Sequence, residues 1–166
     1  MLGQMMQRPL LIGSLLEHAE RYHGATEIIS VNTRGGKTRT QWASVGKRAR
    51  QLASQLEKMG IQVGECCATL AWNNHRHLEI YFGVSSSGRV CHTINPRLFP
   101  AQLQYIINHA QDQVLFFDKT FLPLVAGLRE QLPSIKAYVL LDVADEEVKA
   151  QLPKVLFYEE LIAAGD

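Results

Sequence analysis

The hydrophobic positions of the first sixty residues follow a helical period, then a strand-like one, then a helical one again. Over residues 12–22 apolar side chains recur every three or four positions, which predicts a helix that ends near Gly24. The runs EIISVN and KTRTQW lie on either side of NTRGGK and predict a β-hairpin. The spacing over residues 42–59 predicts a second helix, which Gly60 closes.

The rest of the chain alternates short apolar runs with amphipathic ones. The strand-like runs are CCATLAW, VCHTI, QVLFFD and AYVLLD. The helix-like runs are RHLEIYFGVSS, PAQLQYIINHA, KTFLPLVAGLREQL and, in a more polar tail, YEELIAAG. This alternation predicts an α/β fold with a mostly parallel sheet flanked by helices. It is one domain or a piece of one.

Composition and charge narrow the class of protein. Hydrophobic residues make up 46% and charged residues 20%, and 17 basic against 16 acidic side chains leave a net charge of +1. These values are typical of a globular protein and do not favour nucleic-acid binding. The apolar run over residues 9–16 is too short for a transmembrane segment and lacks a cleavage pattern for a signal peptide. Three cysteines, two of them adjacent, indicate reduced thiols and a cytoplasmic location.

Two glycine- and serine-containing stretches resemble catalytic motifs without matching them. RGGKT contains Gly35, Gly36 and Lys37, but Val31 stands where a Walker A loop needs its first glycine, so a hairpin turn is favoured over a nucleotide loop. No serine in GVSSSG has glycine two positions before and two positions after it, so residues 85–87 are interpreted as a helix end. No catalytic residue is assigned.

Histidines and cysteines are frequent enough to raise the question of a metal site. The candidates are His75, His77, His92, Cys91, Cys66 and Cys67. Their spacing matches no zinc pattern, and positions two apart on a helix point in different directions. We therefore expect surface or helix-start histidines and assign no metal ligand.

Two loops follow predicted strands of the sheet, where parallel sheets present ligand contacts. Asn73 and Asn74 end one strand and open a helix, so Asn74 is either a ligand contact or a helix cap. Asn95, Pro96 and Arg97 follow the next strand, and the proline holds this corner stiff. Stiffness suits a ligand contact and also an ordinary strand-to-helix turn.

The stretch from CCATLAWNNHRHLEIYF through HTINPRL to LFFD resembles the N-terminal part of AMP-forming acyl-CoA synthetases. This superfamily includes luciferase and the adenylation domains, and the resemblance is closest to bacterial medium- and long-chain fatty-acid CoA ligases. It continues through SLLEHAERYHG, TRTQWASVGKRARQLASQLEKMGI and YEEL, so it covers nearly the whole chain in family order. Arg89, after Gly88, stands where the family usually keeps a small residue, which puts the local packing in question.

The resemblance implies a fold, a reaction and a set of cofactors. Residues 1–166 correspond to the N-terminal portion of the AMP-binding domain and stop before the phosphate loop. The full-length enzyme uses ATP, Mg²⁺ and CoA to convert a fatty acid to an acyl-adenylate and then to a thioester. The chain alone lacks the catalytic motifs, so it is expected to be inactive and to bind none of these cofactors by itself. Because the resemblance implies that the rest of the parent domain is missing, we also expect the sheet of the isolated chain to leave a large apolar face uncovered.

One residue role and several partners follow from the same resemblance. In some members an arginine at the position of Arg97 contacts the nucleotide phosphates of CoA; a surface ion pair or a helix-start contact is the alternative. The implied partners are the remainder of the ligase chain and a second copy in a homodimer. A non-catalytic dimerisation or regulatory module, or a decayed gene product, remains the alternative function.

Overall fold

The computed structural model describes residue 3, residues 6–33 and residues 35–166. The helices are α1 Ile12–His23, α2 Trp42–Lys58, α3 His75–Ser86, α4 Pro100–Ala110, α5 Leu122–Leu128, α6 Glu146–Gln151 and α7 Tyr158–Ala163. The strands are β1 Glu27–Val31, β2 Lys37–Gln41, β3 Cys66–Leu70, β4 Val90–Thr93, β5 Val114–Phe117, β6 Ala137–Leu140 and β7 Leu156–Phe157.

The strands form an antiparallel hairpin and a parallel sheet. β1 pairs with β2, and the five-stranded sheet has the order β4-β3-β5-β6-β7 with every neighbouring pair parallel. The predicted α/β class, parallel sheet and hairpin are confirmed. In the hairpin turn Gly35 and Gly36 both have positive φ, which glycine adopts without strain. Arg34, in the same turn, lies outside the described residues.

Two parts of the predicted pattern differ in the structure. The single helix predicted over residues 119–132 is a short α5 between two 3₁₀ turns, Lys119–Phe121 and Arg129–Gln131. The pattern gave no sign of α6 or of β7, which contributes only two residues to the sheet. A two-residue strand has no periodicity to detect, so only its pairing with β6 defines it.

Helices from residues 42–163 cover both faces of the parallel sheet. Ala68, Leu115 and Phe117 face a cluster that includes side chains of α4, α5 and α6. Cys67 and Phe116 face a second cluster that includes side chains of α2, α3 and α7. The expectation of a large uncovered sheet face is therefore wrong, because residues 42–163 supply both helical layers.

The contact between α2 and α3 depends on a glycine. A Cβ atom at Gly83 would lie 2.7 Å from the carbonyl oxygen of Ala49, which is too close for any side chain. Glycine at this position therefore lets the two helix backbones approach each other. The approach brings polar side chains of α2 and α3 within hydrogen-bonding distance.

A network of hydrogen-bonded polar side chains joins α2, α3 and α7. Glu79 is fully buried; its carboxylate accepts from Arg48 Nε at 2.8 Å and from the Tyr158 hydroxyl at 2.9 Å. Burial raises the pKa of Glu79, and the Arg48 hydrogen bond opposes that rise. Arg48 also donates to Glu159 at 3.0 Å, and Arg76 Nε donates to the same carboxylate at 2.6 Å. The network thus couples the C-terminal helix to the two helices before it.

The hairpin is attached to the start of α3 at His75. The His75 backbone N–H donates to Ser30 Oγ on β1 at 2.9 Å, and its ring is buried. Burial, together with the charges of Arg76 and Arg48, lowers the pKa of His75 to about 4. His75 is a helix-start residue as expected, but it is not on the surface.

Removing the arginine of the polar network should be costly. Arg48→Met leaves the fully buried Glu79 with only the Tyr158 hydroxyl, so we expect the free energy of unfolding to fall by about 3 kcal/mol. Arg39→Met is the matched control, because the Arg39–Glu27 pair is 60% and 49% exposed. It should cost less than about 1 kcal/mol. Urea denaturation of both variants measures the difference, and equal losses would contradict a stabilising role for the network.

The buried His75 ring should make stability depend on pH. The unfolded chain binds a proton near pH 6.5, whereas folded His75 does not until about pH 4. The unfolded state therefore holds more protons between these values, and stability should decrease as the pH falls through this window. His75→Gln should flatten that decrease in denaturation curves taken between pH 7 and 4. His18→Gln, on the exposed side of α1, is the control, and an equal flattening there would overturn the assignment.

Candidate functional site

The loops that follow β3 and β4 form a cleft at the carboxyl end of the parallel sheet. The cleft has a volume of about 430 Å³, within the range of small-molecule sites. Residues 71–73 line it from the β3 side and residues 93–97 from the β4 side. His77 and Tyr81 of α3 complete the lining.

The asparagines in the loops after β3 and β4 have different structural roles. Asn74 caps α3, since its Oδ1 accepts the backbone N–H of His77 at 3.1 Å. The cap reading of Asn74 is thus confirmed, and this side chain is committed to the helix. Asn73 lines the cleft instead. On the other side Asn95 Oδ1 accepts the backbone N–H of Arg97 at 3.0 Å, which closes a tight turn after β4.

Arg97 extends from that turn as an exposed cation at the rim of the cleft. Across residues 6–33 and 35–166 no carboxylate forms an ion pair with its guanidinium. A surface ion pair, one of the two sequence-based alternatives for Arg97, is therefore absent from the described part of the chain. An unpaired guanidinium on a stiff corner is available to an anionic group.

The cleft has an aromatic floor. His77 is buried, with Nε2 at 3.0 Å from Thr69 Oγ1 and its ring stacked on that of Tyr81 at 4.7 Å between centroids. Burial lowers the pKa of His77, and the Trp72 backbone opposes that change. The imidazole is therefore neutral near pH 7 and takes part in packing. Trp72 and Tyr81 remain about two-fifths exposed, so their rings are open to a ligand.

The neighbouring junction, between the ends of β3 and β5, is bridged by contacts of Trp72. In a sheet of this strand order the chain reverses direction across the sheet there, and ligands commonly bind at such a point. Here Trp72 bridges it: its backbone N–H donates to Asp118 Oδ2 at 2.7 Å, and its indole N–H donates to Thr120 Oγ1 at 3.4 Å. The indole also lies 5.3 Å from the ring of Phe121. The open cleft is consequently displaced to the β3–β4 side.

The other motifs have structural roles. Gly35, Gly36 and Lys37 belong to the hairpin rather than to a nucleotide loop. Ser87 Oγ donates to the Gly83 and Val84 carbonyls, and Gly88 has positive φ. The serine stretch therefore ends α3 as predicted.

Cys67 and Cys91 are cross-strand neighbours on β3 and β4, but the histidines lie in separate places. His92, on β4, lies 2.8 Å from Asp112 through Nδ1 and Oδ2, apart from the α3 pair His75 and His77. Burial raises the pKa of Cys67 to about 12 and that of Cys91 to about 11, so both are protonated thiols. Within the part of the chain that the structure describes, no group of three or more such side chains is placed to hold a metal ion.

Arg89 fits its position in spite of its size. Its guanidinium is buried and donates from Nε and Nη2 to the carbonyl of Ile61, at 2.9 and 2.6 Å. It thereby caps the chain just after α2, and the departure from the family pattern does not disturb the packing.

Among the described helices, none is both long and apolar enough to cross a membrane.

Comparison with proteins of known sequence agrees with the fold and its order of motifs. The chain is 60% identical over all 166 residues to the 3-methylmercaptopropionyl-CoA ligase of Ruegeria lacuscaerulensis and 55% identical to the medium-chain-fatty-acid–CoA ligase of Ectopseudomonas oleovorans. It spans only 31% and 30% of the lengths of these relatives. The long-chain-fatty-acid–CoA ligase of Thermus thermophilus is 44% identical over 138 residues, 83% of this chain and 26% of the relative.

A solved structure shows the same fold, and a family model gives the family. An anthranilate CoA ligase in complex with anthranoyl-AMP superposes on 95% of the chain with a TM-score of 0.79 at 21% identity, and the match covers 28% of that structure. The model of the AMP-binding enzyme family matches residues 15–161. Because this match includes both cleft loops and every strand of the parallel sheet, the chain belongs to the AMP-binding enzyme family.

Proposed function

We propose that the chain is the N-terminal segment of a fatty-acyl-CoA ligase. The complete enzyme activates a fatty acid with ATP to an acyl-adenylate and transfers the acyl group to the thiol of CoA. The observation that carries the proposal is the match along all 166 residues, at 60% and 55% identity, to two CoA ligases. Their names specify a 3-methylmercaptopropionyl group and a medium-chain fatty acid as the groups that these two relatives join to CoA.

The cleft supports a role in binding CoA. Its rim carries the unpaired guanidinium of Arg97, and its lining offers the amides of Asn73 and Asn95 and the exposed rings of Trp72 and Tyr81. Arginine suits phosphate, and aromatic rings suit a nucleobase. This donor set fits the nucleotide end of CoA, and we assign Arg97 as the phosphate contact.

ATP and Mg²⁺ are proposed to bind outside this segment. Residues 1–166 are assigned as the part of the AMP-binding domain that precedes the phosphate loop, so the groups that hold the triphosphate belong to the remainder of the ligase. Positioning and electrostatic stabilisation dominate phosphoryl chemistry, so the segment alone should not catalyse adenylation.

We further propose a homodimer in the cytoplasm. Apolar side chains exposed along residues 6–22 support a subunit contact there; they include Met6, Leu10, Leu11, Leu15 and Tyr22. The three free cysteines suit a reducing compartment.

The isolated segment should give no ATP–pyrophosphate exchange with any fatty acid. The assay is run with the purified 166-residue chain after circular dichroism has shown that it is folded. Exchange above a control without protein would contradict the assignment of the triphosphate site to the remainder of the ligase. A complete protein that contains this segment and also lacks exchange would favour the non-catalytic module.

Arg97→Ala in the complete protein should weaken CoA binding selectively. A charge-assisted hydrogen bond contributes about 1.5–3 kcal/mol and an exposed one less, so we expect a roughly three- to hundredfold higher KM for CoA. The KM values for ATP and fatty acid should barely change, since adenylation precedes CoA binding. Lysine should recover part of the loss, because it keeps the charge without the planar geometry.

The matched control for Arg97 is Arg39→Ala, an exposed arginine on β2 that contributes nothing to the lining of the cleft. It should leave all three KM values unchanged. An unchanged KM for CoA in Arg97→Ala, or equal increases for all three substrates, would overturn the phosphate assignment.

A further inference from the structure

The β3 side of the cleft is held in place from the neighbouring strand β5. Three contacts converge on Trp72: a carboxylate on its backbone N–H, a hydroxyl on its indole N–H and a ring against its indole. They come from Asp118, Thr120 and Phe121, which follow β5 directly. We call these three residues the Trp72 clamp. Because Trp72 and Asn73 line the cleft, the clamp determines where that side of the cleft lies.

Asp118 is the rigid member of the Trp72 clamp. It is 3% exposed, its own backbone N–H donates to the Leu70 carbonyl at 3.2 Å, and its carbonyl accepts from Phe121 N at 2.9 Å. Main-chain bonds to the end of β3 and to the following turn therefore fix the carboxylate. Its 2.7 Å bond to Trp72 N transmits this fixed position to the loop after β3.

A buried carboxylate is a costly way to satisfy one backbone N–H group. Burial disfavours the charged form of Asp118 and raises its pKa, whereas the hydrogen bond from the Trp72 N–H and the charge of Arg76 oppose that rise. The Trp72 loop is partly exposed, so water could satisfy the same N–H group. Water would leave the loop free to move, whereas the carboxylate holds it at one distance.

We propose that Asp118 is a positioning residue for CoA, acting through Trp72 to fix the β3 side of the cleft against the Arg97 corner. This inference rests on the proposed function, because it takes CoA as the occupant of the cleft. Asp118 does not touch the ligand. It keeps Trp72 and Asn73 at the separation from residues 95–97 at which both sides of the cleft contact one molecule.

The chain supplies a matched control at the other end of the same strand. Asp112 lies two residues before β5, is 0% exposed, and its Oδ2 lies 2.8 Å from His92 Nδ1. Burial raises its pKa as it does that of Asp118. Asp112 contributes nothing to the lining of the cleft. Asp112→Ala therefore removes an equally buried carboxylate near β5 without affecting Trp72.

The experiment compares Asp118→Ala and Asp112→Ala in the complete protein, with steady-state kinetics for each substrate and melting temperatures. Both variants should have a lower melting temperature than the unsubstituted protein. Asp118→Ala alone should raise the KM for CoA, by roughly three- to thirtyfold, with the KM values for ATP and fatty acid unchanged. Asp118→Asn keeps an oxygen acceptor for the Trp72 N–H and should restore most of the affinity for CoA.

A milder variant covers the case in which Asp118→Ala fails to fold. Thr120 is exposed, so Thr120→Val should fold while removing the acceptor of the Trp72 indole N–H. It should raise the KM for CoA by a smaller factor, about two- to fivefold. An unchanged KM for CoA in Thr120→Val, combined with no selective effect of Asp118→Ala where that variant folds, overturns the proposal.

The outcomes separate this inference from the function on which it rests. If Arg97→Ala raises the KM for CoA and Asp118→Ala does not, the cleft binds CoA and the positioning role is wrong. If both aspartate variants raise all three KM values alike, Asp118 only stabilises the fold. If neither Arg97→Ala nor Asp118→Ala changes the KM for CoA, CoA binds elsewhere and both proposals fail.

Discussion

The pairing of β3 with β4 on one side and β5 on the other is the constraint on which the rest of the structure depends. Cys67 is opposite Cys91 in one pair and Val114 in the other, and all three strands run the same way. Their carboxyl ends therefore meet at one edge, where the loops that follow become neighbours. A shift of one residue in either pairing would turn the alternating side chains of β3 to the wrong helical layer.

Those two pairings produce opposite results at the carboxyl edge. Between β3 and β5 the loops are joined through the hydrogen bond from the Trp72 backbone to Asp118. Between β3 and β4 the hydrogen bond of the turn runs from the Arg97 N–H to Asn95 Oδ1, within the loop itself. The cleft therefore stays open between this turn and Asn73. The contacts at the β3–β5 junction thus give the β3–β4 cleft a fixed wall. A rigid wall next to a stiff corner is the arrangement that loses least conformational entropy when a ligand binds.

Much of the fold could be predicted from the sequence because its signals are local. Pro100 at the start of α4 and the apolar spacing after it define that helix to the residue, and the three-four spacing of α2 does nearly as well. The polar network could not be predicted, since Arg48 and Glu79 are 31 residues apart and meet only because Gly83 lets their helices approach. Arg48 lies off the apolar stripe of α2, and such positions usually face solvent.

The candidate site shows the same division between local and long-range signals. The Asn74 cap and the Arg97 corner are each encoded within four residues, and sequence patterns found both. Whether Arg97 had an ion-pair partner was a question about distant carboxylates, so only the folded chain could answer it. The contact between Trp72 and Asp118 spans 46 residues, and LFFD carries no pattern that marks its aspartate as buried. The residues that contact a ligand are thus read from short motifs, whereas the residues that position them are defined by strand pairing.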